Sequence, residues 1–192
     1  MGESSSHRDA LEALALDPSL VEPLARYLDL LTRYSSRVNL TGARSPAERV
    51  RVLVEDPAAY APKLSPGRLV DVGSGNGSPG LVLALCRPDV RTTLLEPRQK
   101  RWAFLREATR EVGRGDVEVL RARHDAYPGP PVETVSLRAL ALPLSALAPL
   151  VLPGGEVLAF GGHPAVSAPF RAEAPVPLRG LVVRRYRREG ST

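Results

Sequence analysis

A glycine-rich turn and an acidic residue downstream of it are the parts of this sequence best suited to chemistry. The turn reads Asp71-Val-Gly73-Ser-Gly75-Asn-Gly77-Ser-Pro-Gly80. Glycines allow the backbone to turn tightly and to approach a ligand closely. They also match Gly-x-Gly-x-x-Gly, a pattern that is typical of dinucleotide sites but weak by itself. Glu96 follows a second apolar segment, where a carboxylate can accept hydrogen bonds from both hydroxyls of a ribose.

The position of Asp71 favours one class of ligand. A carboxylate at the start of the turn would repel a pyrophosphate, whereas it suits a ligand that carries an ammonium and a sulfonium, such as S-adenosylmethionine. Glu96 is compatible with either ligand, so Asp71 is the better discriminator. We therefore predict a site for S-adenosylmethionine. A dinucleotide site and a purely structural turn are the alternatives.

Strands that alternate with helices are expected to position this turn. The predicted strands are Arg68–Val72, Val90–Leu95, Val117–Leu120, Val132–Leu137, Glu156–Phe160 and a closing strand at Leu181–Tyr186. The helices between them are predicted at Leu81–Cys86, Gln99–Val112 and, as a short segment, around Leu144–Leu150. This order predicts an α/β, Rossmann-like domain over residues 67–192, with a mostly parallel sheet that is covered on both faces.

Residues 1–66 are predicted to form a helical extension of that domain. Leucines at positions 20, 24, 28 and 31 predict an amphipathic helix over Ser19–Tyr34. Ser45 with Glu48 forms a capping box that starts a second helix, which should end near Pro62. The polar start, Met1–Ser6, is expected to be disordered, and His163–Pro177 to be loop or edge strand.

Composition limits the other possibilities. No apolar run approaches the roughly 20 residues that span a bilayer, and the polar start lacks a secretory signal, so we expect a cytoplasmic protein. We also expect a monomer. The single cysteine, Cys86, cannot form an internal disulfide, and no metal-ligand spacing occurs. The formal net charge is +5 and the cations are almost all arginines, which suit phosphate binding.

A wider set of motifs resembles the RsmG (GidB) family of 16S ribosomal RNA guanine-N7 methyltransferases. The resemblance extends from about Leu24 to Gly162. The matching motifs are Asn39-Leu40-Thr41, the turn Asp71–Gly80, Thr93-Leu94-Leu95-Glu96, Lys100-Arg101 with Phe104-Leu105, and Arg138-Ala139. The resemblance implies a class I methyltransferase fold, with S-adenosylmethionine as methyl donor and ribosomal RNA or the small ribosomal subunit as partner.

The resemblance and the turn together give a set of expected site residues. The donor contacts are expected at Asp71, Gly73, Ser74, Gly75, Gly77, Ser78, Glu96, His124, Asp125 and Arg138. Among these, His124 and Asp125 would border the adenine. Arg138 would lie at the mouth of the site and position donor or RNA rather than remove a proton. The expected RNA contacts are Lys100, Arg101, Arg184 and Arg185.

Several positions on the substrate side depart from the family pattern. Val52 follows Arg51 where the family has a histidine, and Glu55-Asp56-Pro57 replaces an aspartate-serine pair. Ser78 replaces a bulky apolar residue, and Phe160-Gly161 replaces a lysine-glycine pair. Two alternatives therefore stay open beside the RNA methyltransferase: a methyltransferase for another acceptor, and a non-catalytic protein that binds the donor or RNA.

Overall fold

The computed structural model of the chain describes residues 3–190, and its centre is a mixed β-sheet. Within those residues the strands are β1 Arg68–Val72, β2 Arg91–Leu95, β3 Glu118–Leu120, β4 Val132–Arg138, β5 Val151–Phe160, β6 Phe170–Ala172, β7 Val176–Pro177 and β8 Val182–Arg188. Their order is β3-β2-β1-β4-β5-β8-β6, and β7 also pairs with β8. The first five strands are parallel, whereas β8 is antiparallel to β5.

Strand β1 lies at the point where the strand order reverses. The chain proceeds from β1 to β2 and β3 on one side and then crosses to β4 on the other. Leu69, Val70 and Val72 are all buried, as expected for a central parallel strand with both faces covered. In open α/β sheets such a switch point creates a crevice at the carboxyl ends of the strands, and ligands bind there.

The helices surround this sheet. They are α1 Glu3–Glu12, α2 Pro18–Ser35, α3 Pro46–Val50, a π-helical turn Arg51–Glu55, α4 Asp56–Tyr60, α5 Gly80–Cys86 and α6 Gln99–Glu111, with 3-10 turns at Ala61–Lys63, His124–Ala126 and Leu144–Leu150. Asp17 caps α2 by accepting from the Ser19 N–H at 2.9 Å. Ser45 caps α3 as predicted, by accepting from the Glu48 N–H at 3.2 Å.

The helical extension shares a core with the sheet domain. Tyr27 and Leu28 of α2 are fully buried in the same cluster as Leu81 of α5 and Phe104 of α6. The extension therefore covers one face of the sheet over α5 and α6. On the opposite face, the 3-10 turn Leu144–Leu150 packs its leucines against β4 and β5.

Two predictions about the elements need correction, and a third, which left two alternatives open, is resolved. Glu3–Ser6 belong to α1, while Met1 and Gly2 lie outside the described residues; α1 forms because Leu11 is buried in the core with α2. Strand β5 begins at Val151 rather than Glu156, since Val151 pairs with Val132 before a register shift. Part of His163–Pro177 forms β6 and β7, in agreement with the edge-strand alternative.

Candidate active site

The turn after β1, which we call the glycine loop (residues 73–80), depends on glycine for its conformation. Gly73, Gly75 and Gly77 have φ values of +71°, +52° and +94°. Side chains disfavour these left-handed conformations, so the loop needs glycine at these positions. The N–H groups of Gly73 and Ser74 both donate to the Leu95 carbonyl at 2.9 Å. These bonds fasten the start of the loop to the end of β2.

The helical extension holds the outer side of the glycine loop. The Tyr27 hydroxyl donates to the Asn76 carbonyl at 2.8 Å. The Asn76 amide donates to the Leu40 carbonyl at 2.9 Å, and its Oδ1 accepts from the Ser78 N–H at 3.0 Å. The Asn39-Leu40-Thr41 motif therefore contributes backbone to the site, and Asn76 links the motif to the loop. Sequence reasoning did not select Asn76, although it lies between two of the predicted glycines.

The π-helical turn supports the loop from another side. The Ser78 hydroxyl donates to the Leu53 carbonyl at 2.7 Å. This carbonyl lies four residues before Pro57, which has no N–H to give the usual α-helical bond. The proline therefore accounts for the free acceptor and for the widened turn at Arg51–Glu55. The sequence predicted a single helix from Ser45 to near Pro62. Pro57, within that segment, is the residue that could have indicated the irregular turn.

Arg138 closes the site at the end of β4. Its Nη1 donates to the Ser78 hydroxyl at 2.9 Å, so Ser78 both donates and accepts. None of the carboxylates in the described part of the chain forms an ion pair with Arg138. Burial lowers the pKa of Arg138, but a guanidinium stays charged at neutral pH. The site thus presents a partly buried cation that can receive an anionic or carbonyl oxygen.

Glu96 forms the opposite wall. It is 3% exposed, and its two carboxylate oxygens accept from backbone N–H groups of Gly75 at 3.0 Å and Arg98 at 2.8 Å. These bonds fix the orientation of the carboxylate. Each oxygen keeps a lone pair for a further donor. Glu96 can therefore accept hydrogen bonds from a pair of neighbouring hydroxyls.

These groups surround a first cavity of about 440 Å³. The wall residues that the sequence predicted as site residues are Gly73, Ser74, Gly75, Ser78, Glu96, Arg101 and Arg138. The wall residues that it did not predict are Leu40, Thr41, Gly42, Val52, Leu53, Asn76, Pro97, Arg98, Ala139 and Leu140. The volume lies in the usual range for small-molecule and cofactor sites. The first cavity is also at the switch point of the sheet, where such sites are expected.

Asp71 does not line the first cavity. The prediction that Asp71 contacts the ligand directly is therefore wrong for this structure. Asp71 is 1% exposed and lies beneath the glycine loop, where its Oδ1 accepts from the Ser136 hydroxyl at 2.6 Å. Its Oδ2 faces the start of α5: a Cβ built on Gly80 would lie 2.6 Å from that oxygen. Burial raises the pKa of Asp71 to about 6. Its charge therefore acts on the site through the loop rather than by contact.

Other predicted donor residues lie apart from the first cavity. Gly77 faces α2, since a Cβ there would meet Tyr27 at 3.3 Å. Asp125 is 57% exposed, pairs with Arg123 at 3.3 Å and lines none of the cavities described here. His124 lines an apolar pocket of about 170 Å³ that adjoins the first cavity. That pocket also contains Val72, Gly73, Pro97, Ala122, Arg123, Leu140 and Leu142.

Of the four predicted RNA contacts, one lines the first cavity and three do not. Arg101 lines the first cavity and donates to the Asn39 carbonyl at 2.9 Å, whereas Lys100 is exposed beside it. Arg185 pairs with Glu156 at 3.0 Å and with Glu173 at 3.2 Å, so its charge is already compensated. Arg184 donates to the Gly162 carbonyl at 2.9 Å. Arg184 pairs in register with Ala159 near the carboxyl end of β5, so it lies at the edge of the sheet that carries the site but outside the first cavity.

A second cavity of about 730 Å³ lies beside the first. The two share Val52, Arg138 and Ala139. The remaining wall consists of Arg51, Glu55, Asp56, Phe160, Gly161, Gly162, Arg179, Gly180 and Leu181. Ala139 has a φ of +50°, which is uncommon for a residue with a side chain and is found where the surrounding structure imposes it. The turn at Ala139 leaves Arg138 between the two cavities.

The described residues contain no cluster of three or more His, Cys, Asp or Glu side chains that could hold a metal ion. None of the helices in that part of the chain is both long and apolar enough to cross a membrane.

Comparison with solved structures identifies the fold. A SAM-dependent methyltransferase from Aquifex aeolicus matches with a TM-score of 0.59 at 16% identity, over 82% of this chain and 97% of that one. An RNA methyltransferase from Salinibacter ruber, in complex with S-adenosyl-L-homocysteine, matches with a TM-score of 0.53 at 24% identity, over 65% and 82%. The predicted class I methyltransferase fold is therefore confirmed.

Comparison of sequences identifies the family. The model of the GidB family, described as rRNA small subunit methyltransferase G, matches residues 20–168. Ribosomal RNA small subunit methyltransferase G from Xanthomonas campestris pv. campestris (strain B100) is 38% identical over 160 residues, which are 83% of this chain and 74% of that protein. The protein of the same name from Stenotrophomonas maltophilia (strain K279a) is 37% identical over 79% and 70%. The resemblance seen in the motifs is confirmed, and the chain belongs to the GidB family of rRNA small subunit methyltransferases G.

Proposed function

We propose that this protein uses S-adenosylmethionine to methylate N7 of a guanine in 16S ribosomal RNA. Its family and the names of its relatives support a methyltransferase for small-subunit ribosomal RNA. The observation that carries the proposal is the position of Arg138, which lines both the first cavity and the second cavity. A donor and an acceptor can thus occupy neighbouring spaces. A ribosomal substrate also implies that the protein works in the cytoplasm.

The residues of the first cavity fit S-adenosylmethionine. Glu96 has free lone pairs for the ribose hydroxyls, and Arg138 with Ser78 offers donors to the carboxylate of the methionine part. The adjoining apolar pocket, with Pro97 and Leu140 in its wall, suits a planar adenine, and His124 borders it. When bound, S-adenosylmethionine supplies an activated methyl group on its sulfonium.

The proposed reaction needs no general base. N7 of guanine carries a lone pair and no proton, so no residue has to remove one before attack. The ionisable groups of the first cavity agree with this, since Glu96 is already engaged with two backbone N–H groups. The residues contribute mainly by alignment of the reactants, which is worth about 7–11 kcal/mol in favourable intramolecular reactions.

Arg138 acts as a positioning residue in this scheme. Methylation makes the guanine cationic, and a guanidinium opposite N7 would oppose that charge. An arginine that donates hydrogen bonds to both O6 and N7 of guanine would also occupy the N7 lone pair that has to react. We therefore assign Arg138 to the donor carboxylate, to O6 alone or to a phosphate, with Ser78 holding its Nη1.

Incubation with radiolabelled S-adenosylmethionine and unmodified small-subunit RNA or particles tests the proposal. Label at N7 of one guanine is the expected result. Label on small molecules alone would favour a methyltransferase for another acceptor. Donor binding by calorimetry without transfer to any acceptor would favour a non-catalytic binding protein. Either of the last two results would overturn the proposed function.

A further inference from the structure

We propose that the second cavity holds the acceptor guanine and that Glu55 recognises its Watson–Crick edge. This role rests on the proposed function, because it assigns the acceptor of that reaction to a space beside the donor. The second cavity measures about 730 Å³, which is ample for a purine nucleotide. Val52, Arg138 and Ala139 belong to both cavities. A base in the second cavity would therefore lie beside residues that also line the first.

The chemistry of guanine matches a carboxylate in this wall. Guanine presents two donors on one edge, N1–H and the N2 amino group, and two acceptors, O6 and N7, on the edge that faces the major groove. An ionised carboxylate has two acceptor oxygens and can accept both donors. Adenine presents an unprotonated N1 at the same place, and its lone pair would face the carboxylate. The carboxylate therefore selects guanine by attraction and disfavours adenine by repulsion.

The same contact leaves N7 free. The donors N1–H and N2–H lie on the side of the purine away from N7, so a carboxylate that binds them does not cover the reacting lone pair. Arg138 lines both cavities, and in this proposal it donates to O6 alone, which leaves N7 uncovered. Glu55 and Arg138 would thus orient the base from two sides.

Glu55 is favoured over the neighbouring Asp56 by its contacts. Asp56 is 3% exposed, and its Oδ1 accepts from the Gly180 N–H at 3.1 Å. A Cβ built on Gly180 would lie 2.6 Å from the other oxygen of Asp56, so the turn between β7 and β8 covers this carboxylate. Glu55 instead pairs with Arg179 at 3.2 Å, and the Arg179 side chain is 84% exposed. The Glu55 side chain is only 16% exposed, whereas its partner guanidinium lies largely in solvent, so a base that brings donors to the carboxylate can replace that partner.

The cations of the second cavity complete the assignment. Phe160, at the end of β5, is buried against Tyr60 with ring centroids 5.5 Å apart and gives this cavity an apolar wall. Arg51 and Arg179 line the same cavity and supply its positive charge together with Arg138. Once released from Glu55, Arg179 is available to a phosphate beside the target base.

Binding of free nucleotides tests this role without methyl transfer. Protein saturated with S-adenosylhomocysteine is titrated with guanosine, inosine and adenosine 5′-monophosphates by equilibrium dialysis. We expect affinity to fall in that order, with guanosine bound at least about tenfold tighter than adenosine, because inosine lacks the N2 amino group and adenine lacks both donors. Glu55→Gln should lose this preference while its affinity for S-adenosylhomocysteine is unchanged.

Arg179→Ser is the matched control, because it breaks the same ion pair from the other side. It should keep the preference for guanosine, although overall nucleotide affinity falls. Equal affinity of the native protein for guanosine and adenosine monophosphates would overturn the role of Glu55, and so would a Glu55→Gln variant that still prefers guanosine. Failure of methyl transfer to RNA with the guanosine preference intact would instead contradict the proposed function alone.

Discussion

Arg138 and Ser78, which are 60 residues apart, meet in a hydrogen bond of 2.9 Å across the switch point of the sheet. The bond joins the end of β4 to the glycine loop after β1. The Ser78 hydroxyl in turn donates a hydrogen bond to the Leu53 carbonyl in the π-helical turn. One serine therefore connects the glycine loop, the helical extension and the cation between the two cavities. The hydroxyl at position 78 is what makes this connection possible.

Replacement of Arg138 by Gln should reduce kcat/KM for RNA methylation by about hundredfold, equivalent to about 3 kcal/mol, because a charge-assisted contact is lost. Arg91→Gln is the control: Arg91 is exposed at the amino end of β2, on the opposite edge of the sheet. Its kinetics should match those of the native protein. Steady-state assays with labelled donor measure both variants. Equal kcat/KM for Arg138→Gln and the native protein would exclude Arg138 from positioning.

The buried carboxylate of Asp71 should make stability depend on pH. Its pKa is raised to about 6 from an ordinary value of 3.8, so the folded state holds the proton more tightly than the unfolded state. The native protein should therefore lose stability relative to Asp71→Asn as the pH rises from about 4 to about 6. The loss should total about 3 kcal/mol by linkage. Urea unfolding of both proteins across this range measures it, and a difference that is constant with pH would contradict the shift.

Gly80 should not tolerate a side chain. A Cβ there would lie 2.5 Å from the Asp71 Cβ, so Gly80→Ala must push α5 away from β1. We expect a loss of about 1–3 kcal/mol in the free energy of unfolding, together with weaker donor binding, as for other overpacked cores. Gly115→Ala is the control, since nothing lies within 4 Å of its Cβ position. Denaturant unfolding that gave the same stability for both variants would show that α5 can shift freely.

The contact between Tyr27 and the glycine loop should matter for both stability and binding. Tyr27→Phe leaves the ring in the core but removes the hydroxyl that donates to the Asn76 carbonyl. The cost should be about 1–3 kcal/mol, the usual range when a buried acceptor loses its partner. Tyr34→Phe on the same helix α2 should have a smaller effect, because the contact of Tyr34 with Glu107 is exposed. Thermal unfolding with and without donor compares the stabilities of the two variants. Equal destabilisation by Tyr27→Phe and Tyr34→Phe would contradict the role of Tyr27 in holding the glycine loop.

The sequence predicted the strands, the glycine-rich turn and the acid at Glu96 because each depends on a local pattern. It could not orient Asp71: β1 is buried on both faces, so the alternation of side chains does not tell which face carries the carboxylate. It could not give the partners of Arg185, whose charge is engaged by Glu156 and Glu173 in the packed sheet. The contact between Glu55 and Arg179 joins residues 124 apart in the sequence, and only the packed hairpin of β7 and β8 brings them together.

The central claim, that the donor lies in the first cavity against Glu96, is tested most directly by calorimetric titration of S-adenosylmethionine. The native protein, Glu96→Ala and Asp125→Ala are compared, with thermal unfolding as a check that each variant is folded. Glu96→Ala should bind the donor more than about tenfold more weakly, whereas Asp125→Ala should bind it as the native protein does. The same dissociation constant for all three proteins would place the donor outside this cavity and contradict the account.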